Sequence, residues 1–333
     1  MGGSKLRSNS DNSGYGWRVV VPATSANLGC AFDCAGLALK LYLRALFVPS
    51  AATDLSLEYQ GKTPERFPMK SSNLILHALR YAAEKLGASP PKGHVLVQSD
   101  IPISVGLGSS AAAVIAGLLL GVRYSGKEAA TEQILRWAEE IEGHIDNAAA
   151  AYYGGLVLAL SNNTDQVVTL NTKFPESIRL VVVTPSITVP THEARQVLPQ
   201  SYSRVDVLHT LQRTAALVAT CFSGRFDLFP ELFDDKLHQP YRQKLVPGME
   251  RCLGLRRPGL MGVAISGSGS SVIAFATRDE LRVAEDLQNI FAQEGIETEA
   301  LFTSADNNGA GITRELVPLI ERLGAVLQRL ERS

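Results

Sequence analysis

IPISVGLGSSAAA, at residues 101–113, is the stretch that decides the fold. Gly106 and Gly108 let the backbone approach a ligand closely and adopt positive φ. Ser109 and Ser110 are typical helix caps, and the small and apolar residues up to 122 predict a buried helix. The first amides of a helix lack internal partners and its dipole favours negative charge, so this loop is a candidate phosphate site.

Two well-known phosphate loops do not fit this stretch. No lysine follows the second glycine, as the Walker pattern requires, and the order GxGSS differs from the dinucleotide pattern GxGxxG. A phosphate bound here would therefore be held by backbone amides and hydroxyls. An ordinary loop with a helix cap, which binds nothing, fits the same residues.

The length, charge and composition predict a two-domain protein that binds neither nucleic acid nor a membrane. A chain of 333 residues exceeds the usual size of a single core. A formal net charge of −1 gives no attraction to nucleic acid or to an anionic membrane. The long apolar run at 111–122 is too short to span a bilayer. Four cysteines without zinc or thioredoxin spacing indicate reduced thiols, and the predicted location is cytoplasmic.

The changes in composition along the chain and the order of predicted elements indicate a short tail and two domains of the α+β class. Residues 1–16 are rich in Gly, Ser and Asn and predict a disordered or vector-derived tail. We place the first domain at residues 17–173 and the second at 174–333, where the composition changes. The second half follows the order β, α, α, β, β, α, β, which is typical of a ferredoxin-like layer.

The local patterns predict individual elements. Strands are expected at residues 17–22 and 37–48, with residues 54–59 as the hairpin partner of the latter and residues 23–35 as a loop. Helices are expected at residues 74–86 and 128–142, and a terminal helix at residues 314–330.

Two polar clusters in the first half are candidate chemical groups. Asp33 follows Asn27 in a loop of small residues, where a carboxylate can meet a substrate, although aspartate is also a common turn former. The segment EGHIDN, at residues 142–147, combines acid, imidazole and amide, and magnesium prefers such hard oxygen ligands. A solvated helix end explains the same six residues equally well.

Two arginines in the second half are candidates for binding an anionic group. Thr191 and Arg195 are one helical turn apart and share a face, and arginine pairs bidentately with carboxylate or phosphate. Arg242, in the segment HQPYR at residues 238–242, is a natural second half of a carboxylate clamp. A surface pair of Glu193 with Arg195, or two solvated arginines, is the plain alternative. A serine-nucleophile elbow, a zinc-protease motif and a paired-cysteine metal box are absent from the sequence.

Taken together, six blocks resemble the GHMP small-molecule kinases, and within them the homoserine kinases. The blocks shared with the wider family are PATSANLGCAFD at residues 22–33, IPISVGLGSSAAA at 101–113 and GVAISGSGSS at 262–271. Those similar to the homoserine kinases are EGHIDN at 142–147, THEARQVLP at 191–199 and HQPYRQKLVPG at 238–248. The resemblance runs from about residue 19 to residue 303, with the blocks in the family's order.

The resemblance implies an N-terminal domain like domain 2 of ribosomal protein S5, a ferredoxin-like C-terminal domain, and an active site between them. It implies transfer of the γ-phosphoryl group of ATP to the side-chain hydroxyl of L-homoserine, for threonine biosynthesis. It also suggests a homodimer. Another family kinase acting on a hydroxylated acid such as mevalonate, or a sensor of nucleotide and metabolite without turnover, remains an alternative.

The resemblance assigns roles to individual residues. Asp33 and Thr191 would act at the transferring phosphoryl group, Asp33 as a general base or by orienting the hydroxyl. Mg²⁺ would be held by Glu142 and a loop serine, Ser109 or Ser110, with Glu139 and Glu140 as rivals of Glu142. Homoserine would be surrounded by Asn27, Asp33, His144, Asn147, Arg195 and Arg242. ATP would be bound by Asn73, Ser104, Gly106, Leu107, Gly108, Ser109, Ser110, Ala111 and Ala112, with Gly267 and Ser268 near the site.

Some positions depart from the family pattern. Cys30 and Ala31 stand where proline and glycine are usual, and Ser270 stands where proline is usual. Ile145 and the run at residues 148–153 also differ. These departures bear on the fine geometry of the substrate site more than on the class of reaction.

Overall fold

The computed structural model describes residues 15–60, 73–161 and 167–316. In the first half the elements are β1 (Tyr15–Asn27), β2 (Ala31–Pro49), β3 (Ser56–Tyr59), α1 (Leu74–Lys85), β4 (Gly93–Ser99), α2 (Ser109–Ser125), α3 (Thr131–Glu142), α4 (Asp146–Tyr153), β5 (Leu156–Ser161) and β6 (Val167–Thr172). In the second half they are β7 (Arg179–Pro185), α5 (Thr191–Gln196), α6 (Arg204–Ser223), α7 (Gln239–Arg242), α8 (Met249–Leu253), β8 (Leu260–Ile265), β9 (Val272–Ala276), α9 (Glu280–Ala292), β10 (Thr298–Thr303) and β11 (Gly311–Leu316). Two 3-10 turns cover Phe226–Glu231 and Gln243–Leu245.

The larger sheet is organised around the long strand β2. Its main path runs β11-β1-β2-β4-β3, and the hairpin β5–β6 joins at the start of β2. Helix α2 lies buried over its length from Ala111 to Val122. It packs closely on α1 because two positions carry no side chain: a Cβ at Gly117 would lie 2.4 Å from the Ile75 carbonyl oxygen, and one at Gly121 2.5 Å from that of Leu79.

The smaller sheet has the strand order β10-β7-β9-β8, antiparallel throughout. In chain order this is 4-1-3-2, the ferredoxin-like arrangement, so the predicted α+β class and ferredoxin-like layer are confirmed. A second core packs this sheet against α9, with Val181, Val263, Leu287 and Phe291 at its centre.

The domain boundary stays a proposal at residues 173/174. Strand β6 of the larger sheet ends at Thr172 and β7 of the smaller sheet begins at Arg179. The last described strand, β11, returns to the larger sheet beside β1. We therefore propose that residues 311–316 belong structurally to the first domain.

Two expectations about the first strands are wrong. Residues 23–35 form the ends of β1 and β2 around a tight turn, and not a loop, because small side chains such as Thr24 and Ser25 can be buried beneath the glycine loop. Residues 56–59 form a strand, but it pairs in parallel with β4. Both edges of β2 are already occupied there by β1 and β4, so a hairpin with β2 is impossible.

Three further expectations differ from the structure. Neither serine caps α2: the cap position is Gly108, with φ of +65°, and Ser109 and Ser110 are the first helical residues. Helix α4 was missed because its short alanine run lacks an amphipathic pattern. Residues 314–316 lie in β11 rather than in a terminal helix, since the open edge of β1 pairs with them. The rest of that helix, residues 317–330, and residues 1–14 of the tail lie outside the described residues, whereas Tyr15 and Gly16 begin β1.

Candidate active site

Two glycine-rich loops, one from each half of the chain, meet directly. The Ser266 hydroxyl donates to the Gly106 carbonyl oxygen at 2.7 Å, and the Ser271 amide donates to the Val105 carbonyl oxygen at 3.2 Å. A Cβ at Gly106 would lie 2.1 Å from the Ser266 carbonyl oxygen, so only glycine permits this approach. The loop at residues 101–108 and the segment at residues 266–271 therefore form one wall.

A cavity of about 180 Å³ opens beside this wall. Most residues that the resemblance assigned to a site line it, namely Asn27, Asp33, Ser104, Gly106, Leu107, Gly108, Ser109, Ser110, His144, Asn147, Thr191, Arg195, Arg242, Gly267 and Ser268. The blocks of both halves thus come together in space. Asn73, Ala111, Ala112 and Glu142 do not line the cavity itself.

The part of the cavity that suits a phosphate group is the start of α2. Ser109 and Ser110, the first helical residues, line it, and the positive end of the helix dipole lies there. Gly108 must lack a side chain, because a Cβ would lie 1.9 Å from the Thr24 hydroxyl oxygen. The Ala112 amide already donates to the Gly108 carbonyl oxygen at 2.9 Å, so the amides before it are the available donors.

One carboxylate adjoins the loop serines. The Ser110 hydroxyl donates to Glu142 Oε2 at 2.8 Å, and burial raises the pKa of this glutamate. The two alternative candidates for a magnesium ligand have other partners: Glu139 pairs with Arg136 at 3.0 Å, and Glu140 pairs with Lys85 at 3.3 Å. Glu142 is therefore the one of the three whose carboxylate contacts the start of α2.

The turn between β1 and β2 places Asp33 at the cavity. Asn27 is buried, its side-chain amide donates to the Gly267 carbonyl oxygen at 2.8 Å, and its Oδ1 accepts the Asp33 amide at 3.0 Å. Asn27, Leu28 and Asp33 all have positive φ. The Asn27 side chain thus links this turn to the second glycine loop, and it also lines the cavity.

Asp33 and Arg195 face each other as a bidentate ion pair. Arg195 Nη1 donates to Asp33 Oδ2 at 2.9 Å, and Nη2 donates to Oδ1 at 3.0 Å. The carboxylate hydrogen bonds raise the pKa of the guanidinium. The alternative, a surface ion pair between Glu193 and Arg195, is wrong, because Arg195 on α5 lines the cavity and pairs with Asp33.

Arg242 is buried at the cavity wall with a different set of partners. Its Nε donates to the Ala194 carbonyl oxygen and its Nη1 to the Gly267 carbonyl oxygen, both at 3.1 Å. Within the described part of the chain, no aspartate or glutamate oxygen lies at ion-pairing distance from it. Burial lowers its pKa to about 10. A guanidinium in this position favours an anionic ligand.

The EGHIDN segment contributes one residue that sequence reasoning missed. Asp146 is buried at the start of α4, where its Oδ1 accepts His144 Nδ1–H at 3.0 Å and the Asn147 amide at 2.7 Å. The first of these hydrogen bonds is the main reason why the pKa of His144 is raised. Asn147 Oδ1 in turn accepts the Thr24 hydroxyl at 2.8 Å. An aspartate between two candidate site residues was the available signal.

The remaining residues complete the rim. Thr191 begins α5 and its hydroxyl lies 3.5 Å from that of Ser268. Val189 and Pro190, also missed, line the cavity just before α5. Asn73 caps α1 by accepting the Ile75 amide at 2.9 Å, so the structure shows a structural use for it and no contact with the cavity. Its preceding neighbours, residues 61–72, lie outside the described residues.

The donor set near the loop suits magnesium bound together with phosphates. Across residues 15–60, 73–161 and 167–316, no group of three His, Cys, Asp or Glu side chains is arranged to hold a metal ion. Magnesium commonly takes only one or two protein carboxylates, with water and substrate phosphates as its other ligands. The adjacent oxygens of Ser110 and Glu142 fit that requirement. In the same described part of the chain, no helix is long and apolar enough to cross a bilayer.

Comparison with known proteins identifies the family of this chain. The family model of the GHMP kinases N terminal domain matches residues 73–155, and that of the GHMP kinases C terminal matches residues 215–295. A homoserine kinase of Solibacter usitatus is 37% identical over 88% of this chain and 96% of its own length. The crystal structure of homoserine kinase from Cytophaga hutchinsonii superposes with a TM-score of 0.80 at 24% identity, covering 93% of this chain and 100% of that one. The Methanococcus jannaschii mevalonate kinase superposes less well, with a TM-score of 0.61 at 15% identity over 86% of this chain and 98% of that one.

Proposed function

The chain belongs to the homoserine kinases of the GHMP kinase family, and from this premise we propose that its cavity transfers the γ-phosphoryl group of ATP to the side-chain hydroxyl of L-homoserine. The product is O-phospho-L-homoserine, the precursor used in threonine biosynthesis. Both family domains are present, and the relatives match along nearly their whole length.

The observation that best supports an amino acid as the acceptor of the phosphoryl group is the buried Arg242 guanidinium at the cavity wall. Its protein partners are two backbone carbonyls, the His238 imidazole and the Phe32 ring, and no carboxylate of the described residues lies within ion-pairing distance of it. Burying an arginine in this way is unfavourable unless an anion completes the site. The substrate's α-carboxylate supplies that anion, with Arg195 as the second donor. His144 and Asn147 then border the rest of the amino acid.

The acceptor hydroxyl is proposed to lie between Asp33 and the start of α2. The hydroxyl oxygen attacks the γ-phosphorus in line with the bond to the β-phosphate, and ADP leaves as that bond breaks. Asp33 orients the hydroxyl and takes its proton as the new O–P bond forms. A loose transition state requires little deprotonation beforehand, so positioning supplies most of the acceleration. Thr191 borders the transferring group from α5.

The developing phosphate charge is stabilised by the loop. Backbone amides at residues 109–111 lie at the positive end of α2, and such preorganised donors are the main electrostatic source of catalysis. Ser110 and Glu142 would hold Mg²⁺, which neutralises charge on the β- and γ-phosphates when bound. Glycine at 106 and 108 keeps the backbone open to the phosphates.

One assay tests the proposed function. Release of ADP is measured with L-homoserine, L-serine, L-threonine and mevalonate as acceptors, in the presence of Mg²⁺. We expect turnover with L-homoserine that exceeds the others by at least two orders of magnitude in kcat/KM. Preference for mevalonate would indicate another family kinase, and nucleotide binding without any turnover would indicate a sensor.

We also propose that the protein is a homodimer that pairs through helix α6. Leu208, Leu211 and Phe222 are 43%, 58% and 47% exposed on one face of this helix, with small Ala215 and Ala219 between them. In an antiparallel pair centred on Ala215, the large Leu208 meets the partner's large Phe222, and Leu211 meets the partner's small Ala219. Such a pattern is self-complementary about a two-fold axis.

Light scattering of the full chain after size exclusion tests the dimer. Leu211→Glu is expected to give monomers, whereas Leu281→Glu on α9, which alters a leucine that is 65% exposed, is expected to leave the dimer intact. A monomeric wild type would refute this interface.

A further inference from the structure

A buried histidine joins the two groups that must hold opposite ends of the substrate. His238 is fully buried just before α7, and its Nε2 lies 2.6 Å from the Gly29 carbonyl oxygen. Its Nδ1 lies 3.4 Å from Arg242 Nη1. Gly29 belongs to the turn that carries Asp33, while Arg242 faces the substrate's carboxylate in the proposed function.

Both neighbours require the same tautomer of this ring. A carbonyl oxygen can only accept a hydrogen bond, so Nε2 carries the proton. A guanidinium can only donate, so Nδ1 must present its lone pair. The neutral Nε2–H form is therefore the one that satisfies both contacts. Burial lowers the pKa of His238 to about 4, although the Asp235 carboxylate lies 3.6 Å from Nε2, so the neutral form persists at neutral pH.

Phe32 strengthens the same connection. Its ring stacks on the His238 ring with centroids 5.1 Å apart, and the Arg242 guanidinium lies 5.0 Å from the Phe32 ring centroid. Phe32 is the residue immediately before Asp33. The imidazole, the guanidinium and the phenyl ring thus form one packed unit that connects Arg242 to the turn that holds Asp33.

The segment that carries His238 is itself fixed. Asp235 accepts the backbone amides of His238 and Gln239, each at 2.8 Å, and the Gln239 side chain accepts the Ile265 amide at 2.9 Å. The imidazole therefore starts from a rigid base. A rigid support of this kind is what places binding groups within the fractions of an ångström that catalysis requires.

We propose that His238 is a positioning residue, which sets the separation between Asp33 and Arg242 so that the hydroxyl and the carboxylate of one substrate are held at the same time. This proposal rests on the proposed function, since it takes homoserine as the molecule that spans the two groups. His238 touches neither substrate nor phosphate in this arrangement. It acts through Gly29, Phe32 and Arg242.

The test compares two acceptors that differ only in the carboxylate. Kinetics are measured with L-homoserine and with 3-aminopropan-1-ol, its analogue without the carboxylate, for wild type and His238→Leu. We expect the KM for L-homoserine to rise by about tenfold or more, while the KM for ATP stays within about twofold. The ratio of kcat/KM between the two acceptors is expected to fall by about tenfold, because a displaced Arg242 no longer distinguishes them.

Two further variants separate positioning from stability. His238→Gln keeps an N–H at the Nε2 position for Gly29 but has no acceptor at the Nδ1 position that faces Arg242, so it is expected to fold and still lower the ratio of kcat/KM between the two acceptors several-fold. Tyr42→Phe removes a hydrogen bond to Asp306 of 2.7 Å away from the site and is expected to leave the ratio unchanged. An unchanged ratio in His238→Gln overturns the proposal. If the wild type does not phosphorylate L-homoserine at all, the proposed function fails and the role of His238 fails with it. An unchanged ratio in the variant with an active wild type refutes only the role of His238.

Discussion

Asp33 and Arg195 neutralise each other across the mouth of the cavity, through two hydrogen bonds of 2.9 and 3.0 Å. The pair bridges the two halves of the chain, since Asp33 follows the first turn and Arg195 lies on α5. Each of these groups has a separate role in the proposed reaction. A substrate carboxylate must therefore replace Asp33 at the guanidinium, which releases the Asp33 carboxylate to meet the hydroxyl.

Arg195→Ala is expected to raise the KM for L-homoserine by about tenfold to a hundredfold, because it removes one bidentate partner of the carboxylate. The KM for ATP is expected to change by less than about twofold. Steady-state kinetics with each substrate varied in turn measure both. Arg225→Ala is a matched control, because Arg225 forms a similar bidentate pair with Asp227 on the surface, outside the cavity lining. An equal rise for both substrates would count against a carboxylate clamp.

Asp33→Asn is expected to lower kcat by about 100-fold to 10,000-fold, since the amide cannot accept the proton of the acceptor hydroxyl. The KM for L-homoserine is not expected to rise, because Arg195 is then free of its internal carboxylate. Nucleotide binding, measured by calorimetry, is expected to stay unchanged. Unaltered turnover would remove Asp33 from the chemistry altogether.

Arg242→Met is expected to abolish stabilisation of the protein by L-homoserine. At a ligand concentration a hundred times its Kd, binding stabilises the wild type by about 2.7 kcal/mol. Thermal unfolding with and without the amino acid measures this shift, and stabilisation by ATP serves as the internal control. If L-homoserine still raised the melting temperature of the variant as in wild type, the buried guanidinium would not be the carboxylate site.

The core of the site was predictable from the sequence because it depends on local residue requirements. Glycine at 106 and 108, followed by a buried helix, specifies a loop that approaches its neighbours closely and lines the cavity. The order of the six blocks then identified the family. Local patterns also predicted the order of helices and strands in the second half, which is typical of a ferredoxin-like layer.

What escaped prediction depends on contacts between distant residues. The pairing of Asp33 with Arg195 joins positions 162 residues apart, and no local pattern encodes it. The sequence predicted the wrong partner for the strand at residues 56–59. Strands β1 and β4 occupy the two edges of β2, so this strand pairs with the other edge of β4. Asp146 and His238 were overlooked as supports because buried polar groups acquire their roles only from their surroundings.

The buried His238 gives a stability effect with a defined sign. Because its pKa falls to about 4 in the folded protein, the unfolded chain binds more protons between pH 4 and the ordinary value of about 6.5. Stability is therefore lost as the pH falls through that window. Between pH 7 and pH 5, we expect wild type to lose about 2 kcal/mol more unfolding free energy than His238→Gln. Urea unfolding at the two pH values measures the difference, and parallel losses would contradict it.

Glu142→Ala is expected to raise the Mg²⁺ concentration needed for half-maximal activity by about tenfold or more. The physical reason is its position: its Oε2 lies 2.8 Å from the Ser110 hydroxyl at the start of α2, where the phosphates of ATP are proposed to bind. Burial raises the pKa of Glu142, and only the ionised carboxylate binds a metal well. The Mg²⁺ requirement is therefore expected to increase as the pH falls, at a higher pH than for an ordinary glutamate.

The neighbouring acid provides the control for this prediction. Glu139 lies on the same helix but pairs with Arg136 at 3.0 Å, so Glu139→Ala is expected to leave the Mg²⁺ requirement unchanged. Activity is titrated with Mg²⁺ at saturating L-homoserine, because a loss confined to the metal is then corrected at high Mg²⁺. A defect in Glu142→Ala that excess Mg²⁺ does not relieve would place the carboxylate in the support of α2 and not at the metal. Equal shifts in both variants would point to a change in α3 as a whole.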